Sequence, residues 1–396
     1  MKKIYLHGAK EQIARHNTMR DINKQIVLNY VRARAPISRA EIARETSLQR
    51  STVSAIVDDL QLEGLIEEIG TGDSTGGRKP TMLQLKTGTP VAIGIDVTPR
   101  TTTIALADLA GNILTKTDFP TSPDIKRMNR QILARVSRYA NKYKDHDLEV
   151  GLSVPGVADQ STGRVLYVPY FQWSDWNIGS QIEQKTGLPV AIDNDANAVA
   201  LAELWFGTDE IRTTRNLIEV MIAEGIGTGI IIDGEVYRGQ NGAAGEFGHM
   251  FVGDNAPVTC SCGRRDCWEA HASEKAVISQ YFTNIHARQG VNNIDEFIAR
   301  AEKGDARAKQ ILKNTATYIG IGISNLIIGF SPQAVVVSGS IVKVWDLIKD
   351  EIFELAQRSI RHELSATAIV PSALGDHPTI LGSISLVLAR KFASAN

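Results

Sequence analysis

The chain has 396 residues, 43% of them hydrophobic and 22% charged, with a formal net charge of -1; this suits two or three globular domains and excludes a disordered or uniformly polycationic chain. The charge is uneven, because residues 1–50 hold 11 Lys or Arg against 4 Asp or Glu, so a basic head that could meet phosphate precedes an acidic body. No long apolar run suggests a membrane span, no apolar core follows the first lysines to make a signal peptide, and the three cysteines, crowded between 260 and 267, argue for a metal site in a reducing cytoplasm and against a disulfide framework.

Residues 1–20 are polar and weakly periodic, and they are read as an extension without a predicted element. Ile22, Ile26, Val27, Tyr30 and Val31 then form a helical stripe over 22–34, which Pro36 ends. Ser38 and Glu41 have the spacing of a capping box before a short helix that turns Ile42 and Ala43 inward. After a turn near 46–48, a third helix over 49–63 carries Val53, Ile56, Val57 and Leu60 on its inner face. Its outer N-terminal face offers Gln49, Arg50, Ser51, Thr52 and Ser54, whose polar and cationic groups suit base edges and phosphates in a major groove. From Glu67 to Leu85 the pattern is strand, Gly-rich tip and strand, a wing with Arg78 and Lys79 beside its tip for backbone or minor-groove contact. Residues 1–86 thus predict a winged helix-turn-helix that binds double-stranded DNA. The alternative is a three-helix protein-interaction module with a solvated basic face.

Thr87–Pro90 is a short linker. Strands are predicted over 91–97 and 101–108, with a turn over 109–112. A similar unit recurs at 216–222 and 229–232 with a turn at 233–235, so the body is a duplicated α/β domain with a cleft between two lobes. The small lobe is expected over 91–197 plus 379–396, and the large lobe over 198–378.

His249, Cys260, Cys262 and Cys267 offer one imidazole and three thiolates, a closed four-ligand set of the kind that holds structural Zn²⁺. Other segments place acceptors beside glycines, as the vicinal hydroxyls of a sugar require: Ser153 to Gly156, Asp193 to Asp195, Glu246 to His249, and Glu269. The aromatic run Tyr167, Tyr170, Phe171, Trp173 and Trp176 reads mainly as core packing.

The segments SRAEIARETSLQRSTVSAIVDDLQLEGLIEE and GGRKPTMLQL in the head, with ALADLAGNIL, SVPGV, IDNDANAVALAE, GTGIIIDGEVYRGQNGAAGEFGHM and CSCGRRDCWEAHAS in the body, make the chain resemble the ROK family (repressor, open reading frame, kinase) over essentially its whole length. The resemblance implies an actin/hexokinase-like, ribonuclease H-like duplicated α/β fold behind a winged helix. It implies one zinc at His249, Cys260, Cys262 and Cys267. It also implies hexose contacts from Asn194, Asp195, Glu246, His249 and Glu269, with Gly156 alongside, and it puts Asp195 at the position of the kinase catalytic base.

Family kinases cradle ATP phosphates on a Gly-Gly-Thr-type turn, where this chain has Asp96-Val-Thr-Pro-Arg-Thr-Thr102, with no glycine and with Pro99 lacking an N–H. The later turn Glu224–Gly229 keeps three glycines, and Val335–Ser340 keeps a single one. The expectation is therefore a non-enzymatic regulator that binds a monosaccharide without ATP or Mg²⁺. It would repress sugar uptake or catabolic genes as a cytoplasmic homodimer or homotetramer on a palindromic operator, with lobe closure altering the placement of its heads. The alternatives are a bifunctional sugar kinase with a DNA-binding head and a regulator that answers to a partner protein.

Overall fold

The structure is a computed structural model that describes residues 16–73, 79–282, 293–357 and 366–392. Contacts divide the chain into one unit of residues 1–89, 108–112 and 388–396, and another of residues 90–107 and 113–387.

The head unit contains α1 (His16–Arg34), β1 (Ile37–Ser38), α2 (Arg39–Thr46), α3 (Arg50–Leu62), β2 (Ile66–Thr71) and β3 (Thr81–Leu85). The predicted capping box forms: the Glu41 carboxylate accepts from the Ser38 backbone N–H at 2.8 Å, and the Ser38 hydroxyl accepts from the Glu41 N–H. Val27, Val31, Ile42, Val53, Ile56, Val57 and Leu60 are all buried, so the three helical stripes meet in one core. β3 lies between β1 and β2, which makes the wing a three-stranded sheet. α1 begins six residues before its apolar stripe. Arg20 pairs with Asp59 and Lys24 with Glu63, so charge on α3 holds the polar first turns that hydrophobic periodicity does not register.

The body unit opens with β4 (Ala92–Val97), β5 (Thr101–Ala107), β6 (Ile113–Pro120), α4 (Ile125–Lys142), β7 (Glu149–Val154), β8 (Val157–Asp159), β9 (Arg164–Val168), β10 (Trp173–Trp176), α5 (Ile178–Thr186) and β11 (Val190–Asn194). It continues with α6 (Asp195–Phe206), α7 (Asp209–Arg212), β12 (Leu217–Ile222), β13 (Ile226–Ile232), β14 (Glu235–Val236), α8 (Trp268–Ala272), α9 (Glu274–Phe282), α10 (Ile294–Glu302) and α11 (Ala306–Phe330). β15 (Ala334–Ser338), α12 (Trp345–Gln357), β16 (Ala368–Pro371) and α13 (Pro378–Phe392) complete it.

One five-stranded sheet runs β11-β7-β4-β5-β6 and the other β16-β15-β12-β13-β14. In each, an antiparallel meander of three strands is followed by two parallel strands, so the order repeats and the internal duplication is a structural one. The strands β4, β12 and β15 are buried along their whole length, as sheets covered on both faces require. α13 covers the first sheet so closely that a Cβ at Gly151 would lie 1.8 Å from the Ser383 carbonyl oxygen; only glycine fits there.

Two boundaries differ from the sequence expectation. Residues 379–396 are expected in the small lobe, whereas α13 from Leu388 onward groups with the head unit, where Asn29 Nδ2 donates to the Phe392 carbonyl at 3.2 Å. The turn 108–112 also belongs to that unit; the Asp108 carboxylate accepts from the Gly88 N–H at 2.8 Å and from the Ala110 and Asn112 N–H groups.

Behind the second sheet, two carboxyls are buried without a described cation beside them. The Ser338 hydroxyl donates to Glu219 on β12, and the Ser372 hydroxyl donates to Glu203 on α6. Burial pushes Glu203 up to about 7 and Glu219 well above the carboxylate range, with the Glu203 charge adding to the effect on Glu219.

Candidate functional site

Gln49 occupies the position before α3 and its side chain makes no cap bond, so its amide is available outward. Gln49, Arg50 and Ser51 are exposed, Thr52 and Ser54 are half-buried, and Lys79 is exposed on the tip side of the wing, just before β3. The other expected wing contact, Arg78, lies outside the described residues. Arg39 ties this surface together: it pairs with Asp58 and donates to the Ser54 carbonyl at 3.3 Å. The helix that would enter a groove is thereby braced against the one before it.

In the body, His249, Cys260, Cys262 and Cys267 each present one ligand atom, and these four atoms lie within 4.8 Å of one another. His249 Nδ1 is 3.1 Å from Cys260 Sγ, and the Cys262 and Cys267 sulfurs are 3.4 Å apart. Local structure explains the convergence. Gly263 takes a φ of +88°, which turns the chain between Cys262 and Cys267, and the Cys260 N–H donates to the Arg264 carbonyl at 2.9 Å. Burial pushes the Cys267 thiol up to about 11 and Cys260 higher still, so without a cation these two keep their protons, while against partial burial the Arg264 backbone N–H and the two neighbouring cysteines lower Cys262. The group can therefore hold a metal ion, and its N/S donor set matches tetrahedral coordination.

His249 faces two ways. Its Nε2 lies 3.5 Å from Glu246 Oε2, on the side opposite the sulfurs. Glu269, at the start of α8, is likewise held by the knuckle: one oxygen accepts from the Ser261 N–H and hydroxyl and from Cys260 Sγ, and the other from the Ile226 N–H at 3.4 Å. A Cβ at Gly225 would sit 2.4 Å from the Glu269 carboxylate, so that glycine makes room for the acid.

The remaining expected sugar residues gather at the start of α6. Asn194 is its N-cap, accepting from the Ala196 and Asn197 N–H groups, while its Nδ2 donates to the Gly156 carbonyl at 3.1 Å. One helix cap thus joins Asn194, Asp195 and Gly156. Burial raises Asp195 to about 7, reinforced by the negative charges of Asp96 and, more weakly, Glu246. Asp96, at the end of β4, is pushed up to about 6 by burial, although it accepts from the Ser153 hydroxyl at 3.0 Å and the Thr379 hydroxyl at 2.6 Å. The sequence reading did not select Asp96 as a binding group; the signal was a carboxylate ending the apolar strand Gly94-Ile95-Asp96-Val97. Trp173 and Trp176 are buried, as expected for packing, and Tyr167 and Tyr170 are exposed.

The turn after β4 closes on itself. The Thr98 N–H donates to the Thr101 carbonyl at 3.0 Å, and Arg100 pairs with Glu224, 124 positions further along the chain, at 2.8 Å. The glycines of the other turn serve packing. A Cβ at Gly227 or Gly229 would meet Ala196 at 2.9 or 2.3 Å, so these residues let α6 lie against β13. Their retention is accounted for without a phosphate.

Comparisons with known proteins agree with this geometry. The profile described as "ROK family" matches residues 92–390, and that of the "MarR family" matches 26–78. The xylose repressor of Bacillus spizizenii is 32% identical over 381 residues, covering 95% of this chain and 97% of the relative. The crystal structure of a ROK family transcriptional regulator, a homologue of the E. coli MLC protein, superposes with a TM-score of 0.78 at 25% identity, covering 95% of this chain and 97% of that one. A ROK family glucokinase from Streptomyces griseus, solved with glucose and AMPPNP, gives 0.65 at 28% identity over 75% of this chain and 98% of its own. With that profile spanning most of its length and a full-length relative at this identity, the chain belongs to the ROK family, with a winged helix ahead of the kinase-like body.

Proposed function

We propose that this protein is a sugar-responsive transcriptional repressor of carbohydrate uptake or catabolic genes. The observation that carries the reading is a mismatch inside one cleft. A full set of hydroxyl acceptors stands beside a phosphate turn that contains Pro99, lacks glycine and is spanned by the Arg100–Glu224 pair. Such a site suits recognition of a monosaccharide and lacks the cradle that phosphoryl transfer needs. That one end-to-end relative bears the name of a repressor and another that of a transcriptional regulator supports the same conclusion.

In this reading Asn194, Asp195, Glu246, His249 and Glu269 hold the sugar, with Gly156 at their edge. Gln49, Arg50, Ser51, Thr52 and Ser54 read the operator, and Arg78 and Lys79 steady the wing. Zn²⁺ is bound by His249, Cys260, Cys262 and Cys267, and supplies a structural cross-link with no open coordination position. The protein acts in the cytoplasm as a homodimer or homotetramer on a palindromic site. No helix among the described residues is long and apolar enough to cross a membrane.

Gel retardation on the promoter fragment upstream of its own gene, with and without D-xylose, D-glucose or N-acetylglucosamine, tests the proposal. One sugar should shift the retardation, and Arg50→Ala should weaken it by about 1–3 kcal/mol without altering sugar binding. Incubation with ATP, Mg²⁺ and the same sugars should release no sugar-dependent ADP. Sugar-dependent ADP release, or a retardation that no sugar changes, would reject this function.

A further inference from the structure

Between β14 and Glu246 the chain runs as a strap, residues 237–245, that turns sharply at several positions. Gly239, Asn241, Gly242 and Gly245 all have positive φ, at 63°, 57°, 74° and 88°. Glycine and asparagine take this conformation readily, so the sequence permits the tight path that contacts outside the segment then fix. Two anchors hold it. A Cβ at Gly242 would lie 2.3 Å from the Ala158 carbonyl oxygen, so the strap rests directly on β8. The guanidinium of Arg238 places Nε at 2.8 Å and Nη2 at 2.7 Å from Asp193 Oδ2, a carboxylate only 2% exposed.

The other oxygen of Asp193 faces the opposite way. It accepts from the Asn194 N–H at 2.8 Å and from Asn197 Nδ2 at 3.0 Å. Asp193 therefore organises the strand end from which Asn194 and Asp195 project. Arg238 also holds its own segment in shape, because its carbonyl accepts from the Ala244 N–H at 2.9 Å and closes the strap one residue before Gly245. The Thr228 hydroxyl then donates to the Gly245 carbonyl and fixes the point where Glu246 begins.

We propose that Arg238 is a positioning residue of the sugar site, tying the strap that presents Glu246 to the strand end that presents Asn194 and Asp195. The inference rests on the sugar-binding reading above. The chemistry favours arginine: two nitrogens of one rigid plane grip a single buried oxygen, which a lysine ammonium cannot reproduce in the same orientation. The pair joins the two sheets at a buried point, in contrast to the exposed Arg100–Glu224 contact. The strap therefore travels with β8 and β11, and Glu246 keeps its distance to Asp195 whichever way the outer cleft moves.

The test uses full-length, metal-loaded protein and isothermal titration with the panel D-xylose, D-glucose and N-acetylglucosamine. Arg238→Met should weaken binding of the responding sugar by about tenfold or more. Because it also strands a buried carboxylate, its melting temperature should fall. Adding Asp193→Asn removes that charge; the double variant should regain thermal stability without regaining affinity beyond Asp193→Asn alone. In a Glu246→Ala background, Arg238→Met should change affinity little further, and hydrogen exchange over 237–246 should quicken in the single variant. Wild-type affinity in Arg238→Met, or affinity that returns together with stability in the double variant, would overturn the inference and leave the sugar reading intact. A wild-type protein that binds none of the three sugars would overturn both.

Discussion

The two halves of the body share one strand order and supply the cleft in different ways. In the first half the polar groups belong to regular structure: Asp96 ends β4, Ser153 lies on β7, and Asn194 and Asp195 open α6. In the second half Glu246 and His249 sit on one short turn of helix between a strap and a cysteine loop, and Glu269 on a helix of five residues. Backbone hydrogen bonds and apolar packing position the first set. The second set sits on short turns anchored by Trp268 and Phe247 on the second core, and a cross-link from outside the polypeptide would add to that positioning. A duplicated fold thus sets a side built on long regular elements against a side of short turns where coordination would add to packing.

The largest expected effect would test that separation directly. Cys267→Ser, or extraction with a strong chelator, should release the metal, abolish the sugar response and lower the melting temperature by about 5 °C or more. Hydrogen exchange in β4, β5 and β7 should hardly change. Metal analysis with calorimetry and peptide-resolved exchange checks this, and equal loosening of both halves would contradict the comparison.

Next in size is Asp195. Its replacement by asparagine should weaken sugar binding by about 10–100-fold, the worth of a hydrogen bond to a charged acceptor. Because Asp195 sits at about 7 and the ionised form is the better acceptor, affinity should fall about tenfold for each pH unit below 7. Titrations between pH 5.5 and 8.5 should show this slope and Asp195→Asn should flatten it. The same group acts oppositely on stability of the sugar-free protein. Its pKa is raised from 3.8 to about 7 in the fold, so stability is lost as pH climbs through that window.

A smaller effect is expected from the second half's own buried acids. Glu203 rises from 4.5 to about 7 and Glu219 rises too, so folding stability declines as pH passes upward through that range. Glu219→Gln keeps an acceptor for the Ser338 hydroxyl and removes the titration. It should raise the melting temperature at pH 8 by about 2–4 °C and change little at pH 5; a loss of stability at pH 8 would mean that the charge is required. The smallest effect belongs to Arg100→Ala or Glu224→Ala. That pair is largely exposed on the arginine side, and its removal should change stability by less than about 1 kcal/mol, less still in high salt.

Much of this was legible in the sequence where the cause is local. Ser38 and Glu41 stand three residues apart, and the cap they form needs nothing else. The cysteines cluster within eight positions, so their convergence with His249 could be read from spacing and donor chemistry. The stripes of α1, α2 and α3 gave the head its core. What was not legible depends on long-range contacts. The beginning of α1 is fixed by Asp59 and Glu63, far along the chain. Asp96 acquires its role from Thr379, 283 positions away, and Arg238 from a carboxylate 45 residues earlier. The glycines at 227 and 229 were read as part of a phosphate loop because glycine signals close approach; the sequence does not say to what, and the partner is α6.

The imidazole of His249 has one nitrogen toward three sulfurs and the other toward Glu246. With a metal on Nδ1, the proton would be confined to Nε2, and the ring would meet a sugar bound there as a donor of fixed polarity. An ion that never touches the carbohydrate would then decide how its hydroxyls are read. A cell short of that ion would carry a repressor insensitive to its sugar, which would link two supplies of the organism through a single aromatic ring.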